Sequence, residues 1–248
     1  MTHFDSPYDL NDSSRARVAA DWWFRHHAEL EAKIRFDRLW RDLKATNATP
    51  QVQAMAAQAV LDEARHAERC RAVALFYATE DPFAGASHDV HAVAPDDWST
   101  THSVLYETVA LCCVAETVNS ALLTEVLSVA TAPIVREAVR DILRDEVQHA
   151  RLGWAHLAST PPDGFPKGLG QRLPAMLNDS ISEALIEGKT PSAGFECLPH
   201  GFLSRRHRIS IFFESLNAII LPGFERFSID TSDARSWIGE QPWALGTT

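Results

Sequence analysis

One short pattern occurs twice in the chain and constrains its fold more than any other feature. Residues 61–70 read LDEARHAERC and residues 144–153 read RDEVQHARLG, so that in both an Asp-Glu pair is followed by a His three positions after the Glu. Helical residues three positions apart lie on one side, so Glu63 and His66 can direct a carboxylate and an imidazole to the same point. The same holds for Glu146 and His149. One copy alone indicates a solvated surface pair, whereas two copies favour a shared site if the other helices contribute at the same level.

The hydrophobic pattern predicts four long helices that can bring the two copies together. Apolar residues recur at spacings of three and four, and the predicted helices cover about residues 13–44, 50–79, 100–130 and 133–159. Thr49 as the N-cap and Pro50 at the first helical position predict where the second helix begins. The chain breaks at ATNATP, in a long loop rich in Pro, Gly and Asp, and at TAP.

The turns between these helices predict which residues lie at the same level. Two antiparallel helices joined by a short turn bring together residues that are equidistant from the turn. The midpoint of Glu29 and Glu63 falls in ATNATP, and the midpoint of Glu116 and Glu146 falls in TAP. The loop between helices two and three has about 20 residues and can extend about 60 Å, which exceeds the length of about 45 Å of a 30-residue helix. The prediction is an all-α fold, a ferritin-like four-helix bundle with a long crossover between helices two and three.

Further helices are predicted after the bundle. Residues 1–160 form the predicted bundle, and residues 161–248 form a helical extension with helices near 173–188 and 203–221. Four apolar residues of this extension need burial against the bundle or a twin subunit: Phe212, Phe213, Ile219 and Leu221. This covering predicts a small oligomer, a homodimer, and a dry pocket beside Cys112, Cys113 and Ser120.

Charge and composition narrow the class of protein. The 248 residues include 23 basic and 33 acidic side chains, and a net charge of −10 disfavours nucleic acid as a partner. The chain has no run of 18 uninterrupted apolar residues, so we expect no membrane-spanning helix. The four cysteines show no CxxC spacing, and MTHFDSPYDL lacks the features of a signal peptide. These features predict a cytoplasmic protein.

The glutamates predicted to lie at one height, with the two histidines, predict a dinuclear metal site in the bundle core. Four carboxylates cancel the four positive charges of two Fe(II) ions, so a neutral cluster can lie where an unpaired ion would be very costly. Oxygen-rich ligands with imidazole suit iron or manganese, and they leave positions open for dioxygen. The predicted metal ligands are Glu29, Glu63, His66, Glu116, Glu146 and His149.

The first helix offers two candidate glutamates, Glu29 and Glu31, and only one of them can face inward. They lie about 200° apart around a helix. Glu29 shares its face with the apolar Phe36 and Leu43, whereas Glu31 shares its face with two arginines. We therefore expect Glu29 to be the ligand.

Several neighbouring residues have two interpretations. Asp62 and Asp145 are expected to accept hydrogen bonds from the ligand imidazoles across the bundle, and the alternative is that they are solvated helix acids. Cys112 and Cys113 precede Glu116 by four and three positions, so one lines the pocket or both are small core residues. His26, one turn before Glu29, is interpreted as a surface residue.

Three segments resemble the ferritin-like diiron superfamily, which includes rubrerythrins, bacterioferritins and diiron oxygenases. They are DEARHAERC, CVAET and RDEVQHARLGWAHLA, and they are closest to bacterial ferritin-like domain proteins. The resemblance covers about residues 15–160 and places the ligands on the same six residues. The p-aminobenzoate N-oxygenase type has an additional His four residues before the last ligand Glu. This chain has Ile142 there, which argues against that chemistry.

The resemblance implies a diiron oxidase or oxygenase that activates dioxygen to oxidise a small organic substrate. Its cofactors would be two iron ions, with manganese as the other candidate metal, and an external donor would supply electrons. The alternative is a ferroxidase, iron-storage or peroxide-detoxifying protein. A metal-free interaction module is disfavoured because six polar groups converging in a core without metal would be strongly destabilising.

Overall fold

The computed structural model describes residues 9–88, 90–180 and 195–241, and it has no strand within these ranges. The predicted all-α class is therefore confirmed. The first four helices are α1 (Asp12–Ala45), α2 (Pro50–Tyr77), α3 (Thr100–Val129) and α4 (Pro133–Ser159). Within α3, the segment Val109–Ala115 is π-helical. The remaining helices are α5 (Leu173–Ser180), α6 (Arg205–Ser215, then π-helical Leu216–Ile220, then Leu221–Arg226) and α7 (Ser232–Glu240).

Local side chains determine where the first two helices begin. The side chain of Asn11 accepts a hydrogen bond from the backbone N–H of Ser14 at 2.9 Å and caps α1. Thr49 accepts one from the N–H of Val52 at 3.4 Å, and Pro50 occupies the first turn of α2, as predicted. Between the helices Asn47 adopts a left-handed φ of 55°, a conformation that asparagine tolerates. The chain therefore reverses within four residues.

The four long helices pack in a closed cycle. Helix α1 packs on α2, α2 on α4, and α4 on α3, while α1 meets α3 through the segment Thr100–Thr108. Two apolar clusters fill the interior: one includes Phe36 and Leu43, and the other includes Trp22 and Leu123. On α1 and α2 the buried polar residues other than Ser14 lie between these two clusters.

The segment between α2 and α3 runs along α1. Near its start, His27 Nε2 lies 2.9 Å from an Asp81 carboxylate oxygen. Further along, Arg38 donates to the carbonyl of Val90 at 3.2 Å. Glu107 of α3 accepts from the backbone N–H groups of residues 93 and 94, at 2.6 Å and 2.9 Å. Contacts with both helices therefore hold this long connection in place.

The C-terminal helices cover one side of α3. The first segment of α6 packs on Glu116–Val129, and α5 packs on the π-helical segment. Phe212 and Leu221 are buried, as predicted from the sequence, and Phe213 is half-buried. Ile219, also predicted to be buried, is 50% exposed. Residues 181–188 of the predicted helix 173–188 lie outside the described residues. The sequence did not predict α7, because its nine residues bury only two side chains, too few for a periodic pattern.

One helix in the described ranges, Thr100–Val129, is long and apolar enough by composition to cross a membrane. The expectation of no membrane-spanning helix considered only uninterrupted apolar runs, and it stays a prediction, because length and composition alone do not show that a helix crosses a membrane. Of the most apolar stretch of this helix, 56% is buried inside the protein. Burial of this kind is typical of a core helix in a soluble protein.

Gly223 allows α6 to approach α4. A Cβ atom at this position would lie 2.5 Å from the ring of Trp154, which stacks on Phe227 with centroids 6.4 Å apart. We predict that Gly223→Ala lowers the free energy of unfolding by about 1–3 kcal/mol, because the indole ring must move out of a packed position. The measurement is chemical denaturation followed by circular dichroism. Gly239→Ala is the control, since a Cβ there meets nothing within 4 Å, and equal losses in both variants would contradict the packing argument.

Candidate metal centre

The six predicted ligand residues lie together in the interior. Each is buried, with relative exposures between 0% and 8%. Their ligand atoms form two groups, within each of which all atoms lie within 4.8 Å of one another. The first group is Glu29, Glu63, His66 and Glu146, and the second is Glu63, Glu116, Glu146 and His149. These buried groups could hold metal ions.

Glu63 and Glu146 belong to both groups, and each turns one oxygen toward each histidine. His66 Nδ1 lies 3.5 Å from Glu63 Oε2 and 3.3 Å from Glu146 Oε1. His149 Nδ1 lies 2.9 Å from Glu63 Oε1 and 3.2 Å from Glu146 Oε2. If each group held an ion, Glu63 and Glu146 would be shared by both ions, whereas Glu29 and Glu116 would each contribute to one.

The aspartate that precedes each Glu contacts the histidine of the opposite helix. Asp145 Oδ2 lies 3.3 Å from His66 Nε2, and Asp62 Oδ2 lies 3.5 Å from His149 Nε2. An acceptor at Nε2 favours the tautomer with its lone pair at Nδ1, directed toward the carboxylates. The two Asp-Glu-x-x-His segments therefore complement each other across the α2–α4 interface.

Arg65 links the two aspartates and was not identified from the sequence. Its guanidinium donates to Asp62 at 2.8 Å and to Asp145 at 2.6 Å. Burial alone would raise the pKa of Asp145, but hydrogen bonds from Arg144, Arg65 and His66 lower it to about 2. Because an Arg three positions after an Asp is common on helix surfaces, the sequence held no specific signal for this role.

The buried ionisable groups of the centre have shifted pKa values. Burial raises the pKa of Glu29 and Glu116 well above the ordinary value, and repulsion from the neighbouring carboxylates adds to this rise. Burial would lower the pKa of each histidine, but the nearby carboxylates of Glu146 and Glu63 raise it to about 11 for His66 and about 10 for His149. Burial would also raise the pKa of Glu146, yet the two nearby histidines lower it. Before an ion binds, protons therefore balance the shared carboxylates.

Several buried atoms at the centre have no aligned hydrogen bond. They are both carboxylate oxygens of Glu63, Oε1 of Glu146 and Nδ1 of His66. Their charged neighbours are close enough to interact, but the directions do not suit hydrogen bonds. Buried polar atoms nearly always have a partner, so four such atoms at one point need an explanation. Two cations bound among them would satisfy all four, and carboxylate with imidazole is a donor set that suits iron or manganese.

The π-helical segment of α3 comes immediately before Glu116. Such segments are rare and occur often at functional sites. Within it, Cys112 and Cys113 pack against α4 so closely that a Cβ on Gly153 would lie 2.6 Å from Cys113 Sγ. Both cysteines are fully buried, in agreement with the interpretation that both are small core residues. No residue pattern in VALCCVA identifies a π-helix.

A cleft of about 390 Å³ reaches the centre from the side of Glu29 and Glu116. Its α3 wall is formed by Glu107, Ala110, Leu111, Ala115, Glu116, Asn119 and Leu122. Cys112, Cys113 and Ser120, beside which a pocket was predicted, are not among the lining residues of this cleft. The cysteines point to α4, and the wall of the cleft is the neighbouring face of the helix.

Two positions on α1 test the helical register. Glu29 is buried and the Glu31 side chain is 45% exposed, as predicted. His26, interpreted as a surface residue, is buried, with Nδ1 2.8 Å from the carbonyl of Ala67. The interpretation was wrong because His26 lies three positions before Glu29, on the face that packs against α2. The sequence also missed Cys70, whose Sγ lies 4.0 Å from Glu29 Oε1.

Comparison of the chain with profiles of known protein families, with curated proteins and with solved structures finds no match. The assignment of a metal centre therefore depends on the geometry of the residues themselves.

The protonation of the centre leads to a prediction about pH. Metal binding must displace the protons held by Glu29, Glu116, His66 and His149, because ions and protons compete for the same atoms. We predict that Mn²⁺ binding releases protons at pH 7 and that its affinity falls as pH is lowered from 8 to 6. Calorimetry in two buffers with different ionisation enthalpies measures both quantities. Binding without proton release, and with the same affinity at both pH values, would contradict this account.

Proposed function

We propose that the chain is a ferritin-like four-helix diiron protein that uses dioxygen to oxidise a small organic molecule. One observation supports this more than any other: six buried carboxylate and imidazole groups converge in two sets that share Glu63 and Glu146. The cycle of packed helices and the long segment along α1 are compatible with this type of bundle. The resemblance of the two Asp-Glu-x-x-His segments to that superfamily points the same way.

The proposed roles of the residues follow from the two groups. Glu29 and His66 would complete the binding of one ion, and Glu116 and His149 would complete the binding of the other. Glu63 and Glu146 would hold both. Two bound iron ions would supply the capacity to bind and reduce dioxygen. Four carboxylates balance two divalent ions, so the occupied centre has no net charge to bury.

The surroundings of the centre give it one closed side and one open side. On the histidine side, Asp62, Asp145 and Arg65 form a network of hydrogen bonds and ion pairs. On the other side the cleft reaches Glu29 and Glu116. A small organic molecule would approach along this cleft, where apolar walls limit the access of water.

One observation favours the alternative of a ferroxidase or storage protein. Part of the cleft is acidic, with Glu31, Asp42, Glu107 and Asp179 among its lining residues, and such a surface could admit Fe²⁺. The apolar walls of the cleft favour the oxidase instead. The C-terminal helices support the same choice, because they occupy an outer side of α3 that a closed shell would need.

The proposal extends to the partners of the protein. An external donor would return electrons to the centre after each reaction, and the protein would act in the cytoplasm. We also propose a homodimer, since the large apolar residues Leu61 and Ile219 are 63% and 50% exposed and a second copy could cover them.

Metal analysis of the full chain tests the centre directly. We expect close to two ions per chain in protein purified without chelator, and loss of at least one ion in Glu63→Ala and in Glu146→Ala. Glu31→Ala is the matched control on α1, because its exposed side chain is directed away from the ligand groups. The assignment would be refuted if both Glu63→Ala and Glu146→Ala still bound two ions per chain. It would also be refuted if Glu31→Ala lost metal while Glu29→Ala kept it.

Iron uptake separates the oxidase from the storage protein. Anaerobic protein receives excess Fe(II) and is then exposed to air, with iron content and particle size followed by absorbance and gel filtration. We expect a small oligomer that reacts once per centre and then stops until it is reduced again. Continued uptake of many irons per chain into a soluble mineral, on a particle of shell size, would decide for storage.

A further inference from the structure

The cleft beside the centre results from the separation of two helices. Helix α1 packs on α3 mainly through Thr100–Thr108, and beyond that segment the two helices diverge. Small side chains on both helices widen the gap, including Ala28, Ala32, Ala110 and Ala115. With Leu111 and Leu122 they form an apolar channel that leads to Glu29 and Glu116. The volume of about 390 Å³ is within the usual range for small-molecule sites.

Two arginines line one end of this channel. Arg25 Nε lies 3.3 Å from Asp21 Oδ2, and Arg208 Nη1 lies 4.0 Å from Asp21 Oδ1. All three side chains are at most 17% exposed. The described lining of this end includes the guanidinium groups of Arg25 and Arg208 and the carboxylate of Asp21. Burial lowers the pKa of Arg208, and the attraction of Asp21 opposes the repulsion of Arg25 and Arg205.

Aromatic rings hold both guanidinium groups in place. Arg25 lies over the ring of Trp22 at 5.4 Å from its centroid, and Arg208 lies over Phe202 at 5.8 Å. Stacking of this kind restricts the rotation of a long side chain. The two arginines are thus positioned before any ligand arrives.

The opposite end of the channel has the reverse charge. Its lining includes four acids, Glu31, Asp42, Glu107 and Asp179, and two arginines, Arg35 and Arg38. Of these, Arg38 pairs with Glu107 at 3.3 Å. An anionic group entering the channel is therefore attracted to the end with Arg25 and Arg208 and repelled from the other end. The charge pattern defines the direction in which an anionic ligand lies.

We propose that the channel binds an organic acid with an apolar body, whose carboxylate pairs with Arg25 and Arg208. Its apolar body would lie over Ala28 and Ala115 toward Glu29 and Glu116. This inference builds on the proposed function, because it names the class of substrate that would reach the metal centre. Arg25 lies four residues before Glu29, a rise of about 6 Å along a helix, so the reacting carbon is several bonds from the carboxylate.

Charge and shape together select this class. Arginine binds carboxylates with two parallel hydrogen bonds, which gives orientation as well as affinity. An amine of the same shape would meet two cations, and a neutral amide would lose the charge-assisted contacts. The small and apolar residues of the lining, among them Ala28, Ala115 and Leu122, would contact the apolar body of the ligand.

The experiment uses the full-length protein and three probes of one shape: octanoate, octanamide and octylamine. Calorimetry should show that octanoate binds at least about tenfold more tightly than octanamide, and that octylamine does not compete. Arg25→Gln and Arg208→Gln should each weaken octanoate binding by about tenfold or more, with smaller losses for the charge-preserving Arg25→Lys and Arg208→Lys. Arg35→Gln is the matched control, because Arg35 lines the acidic part of the same channel.

The outcomes separate this inference from the metal assignment. The inference would be overturned if octanoate and octanamide bound equally well. It would also be overturned if Arg25→Gln, with a circular dichroism spectrum like that of the unmodified protein, bound octanoate with unchanged affinity. A loss in Arg35→Gln equal to that in Arg25→Gln would also overturn it. Metal content is measured on the same samples. Charge-selective octanoate binding by protein that holds no metal would support the acid site and refute only the proposed function.

Discussion

The contacts of Glu63 and Glu146 with both histidines are the interaction on which the rest of the structure depends. Each of these two carboxylates lies within 3.5 Å of both imidazoles, and all four side chains are buried. Charges in such a place must be balanced, because burial of an uncompensated ion is far more costly than the folding of a small domain can offset. Protons on the histidines and terminal glutamates can provide this balance, and so can two divalent ions. The choice between these two states links metal affinity to pH.

The centre also determines how the helices are arranged. Each long helix contributes at least one of the six residues, so a shift of any helix by one turn would remove a charge from the cluster. The apolar clusters on α1 and α2 lie on either side of the polar residues, and they hold the helices at the required level. Packing and site geometry therefore support each other. Arg65 adds a contact between the two Asp-Glu-x-x-His segments at the surface of the α2–α4 interface.

The two sides of the centre differ in a way that matters for reactivity. On the histidine side, Asp145 and Asp62 lie 3.3 Å and 3.5 Å from the imidazoles and orient them. The opposite side opens because α1 and α3 diverge beyond Thr100–Thr108. The π-helical segment before Glu116 turns the small and apolar residues of α3 toward the cleft and its cysteines toward α4. The helix that carries a terminal ligand thus also forms the wall that a substrate would contact.

Much of this could be predicted from the sequence, because it depends on local rules. Helix boundaries follow from capping residues and apolar periodicity, and Thr49 with Pro50 is one example. Counting residues to each turn predicts that four glutamates lie at the same height along the helices: Glu29, Glu63, Glu116 and Glu146. The inward direction of Glu29 rather than Glu31 follows from which of them shares a face with Phe36 and Leu43. These are properties of one helix or one hairpin, and each depends on few residues.

Other features were decided only by the tertiary structure. The burial of His26, the role of Arg65 and the position of the cleft depend on which helix packs against which and at what separation. The sequence predicted a pocket beside Cys112, Cys113 and Ser120, whereas the cleft is lined by other residues of α3, among them Ala110, Leu111 and Ala115. The sequence alone determined which side chains could meet at the centre. The fold decided which side of the centre is open, because divergence of two helices depends on the sum of many packing contacts and has no local signature.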